Sequence, residues 1–480
     1  MLFSTIACTE IDQPVIVEEQ PPALSAGSAD FSKYVAIGAS FTAGFTDNAL
    51  FIAGQNNSFP NMLSQKFAMV GGGEFNQPLM NDNIGGFLVN GTVAAAPRLY
   101  FDGTGPAVLP ATPTTEITTH LSGTFNNYGI PGMKSFHMGI EGYGTLNPYF
   151  GRMASSSTAT VLGDAAALGA TFFTMSEIGG NDVLSYAASG GSGQDQTGNL
   201  DPTTYNGNDI TDPTVFTASI STAVDVLTAN GAKGVIANVP YITSLSYFTT
   251  VPYNPIPLDE ATAAQVNQGY AQYNGGLQLA LAGGFISADE AARRTINFSA
   301  GQNTVVIEDE YLTDLSALGL PSYRQTTAED LLVLTSSSFI GTLADPNNPA
   351  SVNGVGVALA DKWVLVPEEQ LAVANATDAY NATIESIVSS NSNVALVDLK
   401  SILQQASSTG IAFDDFTMTT QLVLGGMVSL DGVHLTARGY ALMANKFLQV
   451  IDENFGSNFV EAGATIKATD YNSLYPVTLP

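Results

Sequence analysis

Short apolar runs closed by turn residues recur along the chain. Tyr34-Val35-Ala36-Ile37-Gly38 is one, and Thr171-Phe172-Phe173-Thr174-Met175 is another. Gly234-Val235-Ile236-Ala237-Asn238-Val239-Pro240 and Val394-Ala395-Leu396-Val397-Asp398 follow. Runs this short, apolar throughout rather than alternating, predict strands buried on both faces. The intervening segments carry a different period. Tyr380, Ile384, Ile387 and Val388 fall at i, i+4, i+7 and i+8 and predict one face of a helix within 368–390. Tyr440, Met443, Ala444, Phe447, Leu448 and Ile451 make a second stripe, with Thr436 placed to cap it. Buried strands alternating with amphipathic helices predict an α/β domain with a mainly parallel sheet covered on both faces.

Three stretches exceed a minimal unit of this kind. Residues 45–120, rich in Gly, Asn, Pro and Thr, read as a long loop-bearing insertion. Residues 187–214 read as a polar loop. The stretch 245–362 holds a predicted helix carrying Val266, Tyr270, Leu277 and Leu281, and a predicted strand at Thr304–Ile307. Sheet elements flank all three, so they read as decorations of one domain over 31–480. A length of 480 residues fits one large decorated domain or two to four ordinary ones.

Charge narrows the partners. The formal net charge is −29, with 14 Lys and Arg against 43 Asp and Glu. So few cations argue against binding a nucleic-acid backbone or adhering to anionic lipid through a basic patch. Only 12% of residues are charged, which excludes a long coiled coil. No run of eighteen apolar residues predicts a spanning helix. The single cysteine, Cys8, excludes an internal disulfide and Cys-rich zinc sites. Met1-Leu2-Phe3-Ser4-Thr5-Ile6-Ala7-Cys8 resembles the end of a bacterial lipoprotein signal, with Cys8 the acylated residue. Residues 9–30 are acidic, contain Pro21-Pro22, and suit a tether. The resemblance implies an exported outer-membrane or cell-surface bacterial lipoprotein, touching membrane only through that anchor.

Four segments carry candidate chemistry. Ser40 follows the first strand in Gly38-Ala39-Ser40, where a parallel sheet exposes side chains to ligands. Asp431-Gly432-Val433-His434 joins a base of near-neutral character to a carboxylate able to fix its tautomer. A helix start and a turn would account for the same two residues. Gly179-Gly180-Asn181-Asp182 closes the second strand; it offers an amide to an oxyanion, or simply a tight turn. Asn127-Tyr128-Gly129-Ile130-Pro131-Gly132 offers a backbone N–H at Gly132, or again a turn. A dinucleotide-binding reading fails, because Gly38-Ala39-Ser40-Phe41-Thr42-Ala43-Gly44 lacks G-x-G-x-x-G. Residues 187–214 lack an EF-hand pattern and read as a solvated loop.

Taken in order, these segments resemble the blocks of the SGNH (GDSL-type) serine hydrolase superfamily. Ser40 matches the nucleophile, Gly132 the N-x-x-I-x-G glycine, Asn181 the G-x-N-D asparagine, and Asp431 with His434 the D-x-x-H pair. Asn238-Val239-Pro240 resembles the end of the family's fourth core strand. The family's G-D-S reads Gly38-Ala39-Ser40 here. The resemblance implies a three-layer αβα sandwich of the flavodoxin-like SGNH type, with Ser40, Asp431 and His434 as triad. It implies an oxyanion hole from Ser40, Gly132 and Asn181, with no metal or organic cofactor. The expected activity is hydrolysis of carboxylic esters, of acyl lipid or O-acetylated carbohydrate. The alternative is a surface lipoprotein that binds a ligand with the same fold and little or no turnover.

Overall fold

The computed structural model describes residues 20–479, so Cys8 and the first part of the tether lie outside the described residues. Five strands form one all-parallel sheet: β1 (Tyr34–Gly38), β2 (Asn127–Gly129), β3 (Phe172–Ser176), β4 (Lys233–Ala237) and β5 (Val394–Val397). Their order is β5-β4-β3-β1-β2. Every residue of β1 and β3 is buried, as their unbroken apolar composition requires. Gly38 pairs with both Gly129 and Ser176, so β1, β2 and β3 end level with one another. The order reverses between β1 and β3: the chain leaves β1 toward one edge and β3 toward the other. In open parallel sheets, the crevice outside the carboxyl ends at such a reversal is the usual ligand site.

Among the described residues there are thirteen α-helices, of which eight matter here. They are α1 (Ser40–Ala43), α2 (Phe59–Ala68), α3 (Gly180–Ala188), α4 (Pro213–Thr228), α5 (Glu260–Ala282), α6 (Pro367–Ser390), α7 (Leu399–Ser408) and α8 (Ala437–Phe455). Helix α8 starts where expected: Thr436 Oγ1 accepts from the Gly439 N–H at 2.9 Å, and Gly456 ends it in the left-handed region. Helix α8 packs on α2 and against β4 and β5, with the Phe59 and Phe447 rings stacked at 4.9 Å. Helix α6 packs on α4, α3 and β5, with Phe216 and Tyr380 stacked at 4.2 Å. No helix of the described residues is long and apolar enough to cross a membrane.

The stretch 45–120 is not only loop. Phe59, Met62, Leu63 and Phe67 put one face of α2 into the main core. Polar composition averaged over the stretch hides this stripe. Asn127–Gly129, read as a turn or oxyanion block, is the edge strand β2. The predicted strand at Thr304–Ile307 forms over Val306–Glu308 and pairs with Tyr323–Gln325. The third insertion builds a second hydrophobic core between Val251 and Val366, with Leu277, Ile307 and Leu359 fully buried. It also buries Arg324, whose Nη1 and Nη2 each donate to Asp330 at 2.7 Å. Two parallel N–H···O bonds are the geometry a buried ion pair needs to offset its desolvation.

Candidate active site

Ser40 opens α1 directly beyond β1 and is buried. The turn that carries it needs Gly38, because a Cβ there would lie 2.1 Å from Thr42 Oγ1 and 2.7 Å from the Ser176 carbonyl oxygen. Glu177, at the end of β3, clamps this turn. Its Oε1 accepts from the Ala39 N–H at 2.7 Å and the Thr42 N–H at 2.8 Å, and its Oε2 accepts from Thr42 Oγ1 at 3.2 Å. Glu177 itself has φ +49°, outside the usual range for a side chain of its kind. Burial pushes its carboxyl up to about 7, against the opposing pull of these bonds. The turn under Ser40 is thus held by a carboxyl group from the end of the neighbouring strand.

Asp431 and His434 form a pair. His434 Nδ1 lies 2.9 Å from Asp431 Oδ2. The other oxygen, Oδ1, accepts from the Val433 N–H at 2.9 Å and the His434 N–H at 2.8 Å, so the loop closes on its own carboxylate. Asn48 N–H donates to Oδ2 at 2.7 Å from the far end of the sequence. Burial would push the Asp431 carboxyl up. The facing imidazole and these N–H groups outweigh it and hold the group well below the usual carboxylate range. The ring is thereby oriented with Nδ1 toward the carboxylate and Nε2 turned away from it.

The pair is delivered beside Ser40. The Phe41 ring lies 5.7 Å, and the Phe45 ring 4.6 Å, from the imidazole. Val433 and Leu435, which flank His434, line the same cavity as Ser40 and Asn181. Ser40 and His434 share no hydrogen bond. Asp47 is packed behind the loop, with its Oδ1 accepting from the Leu430 N–H at 3.1 Å. Burial pushes Asp47 up to about 7; the Leu430 N–H, Arg98 and His434 oppose that and the Asp431 charge adds to it.

Asn181 lies in the first turn of α3, beyond β3, and donates from Nδ2 to the Met133 carbonyl at 3.0 Å. An amide has two N–H bonds, so one remains for a ligand. The same bond ties Asn181 to the turn that holds Gly132. That turn is fixed to β1 by the Ile130 N–H, which donates to the Gly38 carbonyl at 2.9 Å. Gly132 is exposed at φ +78°, and among the described residues its N–H has no acceptor. The structure therefore gathers Ser40, Asn181, Asp431 and His434 at the strand-order reversal, with the Gly132 turn alongside. His137 is elsewhere engaged: its Nδ1 accepts from the Lys134 N–H, and burial pushes it down to about 4. Among the described residues no group of three or more His, Cys, Asp or Glu could hold a metal ion.

Chemically, the arrangement offers a buried hydroxyl, an imidazole held by a carboxylate, and amide donors with free capacity. No family model, curated protein or solved structure matches the chain.

Proposed function

We propose that the protein is a serine esterase of the SGNH type that hydrolyses carboxylic esters through an acyl-enzyme on Ser40. Ser40 Oγ attacks the ester carbonyl while His434 Nε2 takes its proton. The Asn181 amide and the Ser40 and Gly132 N–H groups hold the oxyanion. Collapse breaks the bond to the alcohol oxygen, which leaves with the proton from His434. Water then adds to the acyl-enzyme, giving its proton to His434, and Ser40 recovers that proton as the acid departs. No metal or cofactor takes part in this scheme. The observation that carries the reading is the 2.9 Å Asp431–His434 pair beside Ser40 where the strand order reverses. The strand order, with helix pairs α2–α8 and α4–α6 on the sheet, supports a three-layer SGNH sandwich.

A second reading, a surface lipoprotein that binds a ligand with weak or no turnover, is favoured by the absent Ser40–His434 hydrogen bond. A fluorophosphonate probe separates the two, because only an activated serine attacks phosphorus at useful rates. The esterase reading expects one adduct, on Ser40, lost in Ser40→Ala. Folded protein that takes no label, or takes it at another serine, refutes it.

A further inference from the structure

A cavity of about 70 Å³ has Ser40, Glu177 and Asn181 in its wall. The rest of the wall is apolar: Ile402 and Leu403 from α7, Leu442 and Met443 from α8, and Leu245 and Met427 from the intervening loops. No Lys, Arg or His lines it. We infer that this cavity receives the acyl group of the substrate and selects an uncharged chain of about four carbons. The inference rests on the esterase reading above and names its substrate class.

Three observations lead there. Two of the three polar wall residues, Ser40 and Asn181, are the ones proposed to attack the carbonyl and hold its oxygen, and the third, Glu177, is spent on the turn under Ser40, so the ester carbon belongs at that wall. The remaining wall offers nothing to hydrogen-bond a sugar hydroxyl or to neutralise a carboxylate. A succinyl group or the polyol side of an ester would leave polar atoms unpaired there. The volume then sets the length. A dry cavity of about 150 Å³ accommodates a six-carbon benzene ring. Half that volume suits about three carbons beyond the carbonyl. An acetyl methyl would leave most of the wall without contacts, and an octanoyl chain would overpack it.

The test is kcat/KM on p-nitrophenyl esters from acetate to dodecanoate. Each methylene that enters the cavity should raise kcat/KM about fourfold, from its transfer free energy. The expected profile therefore climbs about fifteenfold from acetate to butanoate. It then falls by about tenfold or more by octanoate, as overpacking sets in. Two wall variants move the maximum in opposite directions. Ile402→Phe, on a partly buried wall position, should shift it to acetate, and Leu442→Ala should shift it to six carbons or more. Melting temperatures accompany both, and if neither variant folds the wild-type profile decides alone. Ester hydrolysis with a flat profile, a maximum at acetate, or a maximum at octanoate or any longer chain overturns this inference and leaves the esterase reading standing. Hydrolysis at no chain length overturns this inference, and if Ser40 also takes no fluorophosphonate adduct the esterase reading falls with it.

Discussion

Replacing Glu177 by Gln and by Ala separates the two jobs its carboxyl does. Gln keeps Oε1, and with it the bonds from the Ala39 and Thr42 N–H groups, while its amide N–H meets Thr42 Oγ1 as an acceptor. Ala leaves both buried N–H groups without an acceptor, at about 1–3 kcal/mol each. Glu177→Ala should therefore lose several kcal/mol of stability and much of kcat, as the turn under Ser40 loosens. Glu177→Gln should stay within a few-fold of wild-type kcat. Its difference lies in pH dependence. With a value raised to about 7 from an ordinary 4.5, Glu177 keeps its proton in the folded chain where the unfolded chain has released it. That contribution to stability is complete below about pH 4.5 and is lost as pH rises through 7. The change over this window is about 3 kcal/mol. Gln has no proton to release, so it should gain on wild type by about that amount between pH 4.5 and 7.5. Asp47, raised to about 7 as well, is common to both proteins and cancels in the comparison. The assay is denaturant or thermal unfolding of both proteins across that range, with esterase rates alongside. Parallel stability profiles for wild type and Gln, or an Ala variant as stable and active as Gln, would refute the reasoning.

Asp431→Asn turns an N–H toward a donor whichever way the amide sits, because both carboxylate oxygens accept two bonds. It should cut kcat by about 10⁴-fold through the wrong tautomer, as steady-state kinetics on folded protein will show. Asn181→Ala should lower kcat by about 10²–10³-fold with little change in KM; a large KM effect instead would point to ground-state binding. If Cys8 is acylated with two or three chains, wild-type precursor should fractionate with membranes and Cys8→Ser should not, since a single chain anchors only marginally. Equal partitioning would remove the anchor and leave the hydrolase chemistry untouched.

What the sequence makes legible follows from how far apart partners lie. Asp431 and His434 are three residues apart, so a carboxylate and its imidazole can be read as a pair before any fold is known. Glu177 and its partners Ala39 and Thr42 are 138 and 135 residues apart, and only the β1–β3 register brings them together. Strands β1, β3, β4 and β5 announce themselves through unbroken apolar runs. Strand β2 reads Asn-Tyr-Gly and exists because β1 offers it a ladder. Helix α2 carries local signals, with Ser58 Oγ accepting from the Asn61 N–H and Pro60 in the first turn. Its glycine- and asparagine-rich neighbourhood masks them. The second core could not be read at all from separate short apolar pieces, since its unity depends on α5 gathering them.

The bond from Asn48 to Asp431 spans 383 residues, and the Leu430–Asp47 bond spans as many. Such separations make folding slow, because the loop must close before the contact rewards it. They also set an order of events on the ribosome. When Ser40 emerges, the proposed base His434 and the carboxylate of Asp431 have yet to be synthesised. On the proposed mechanism, a chain that stops upstream of residue 431 carries the proposed nucleophile without the base and carboxylate that would activate it.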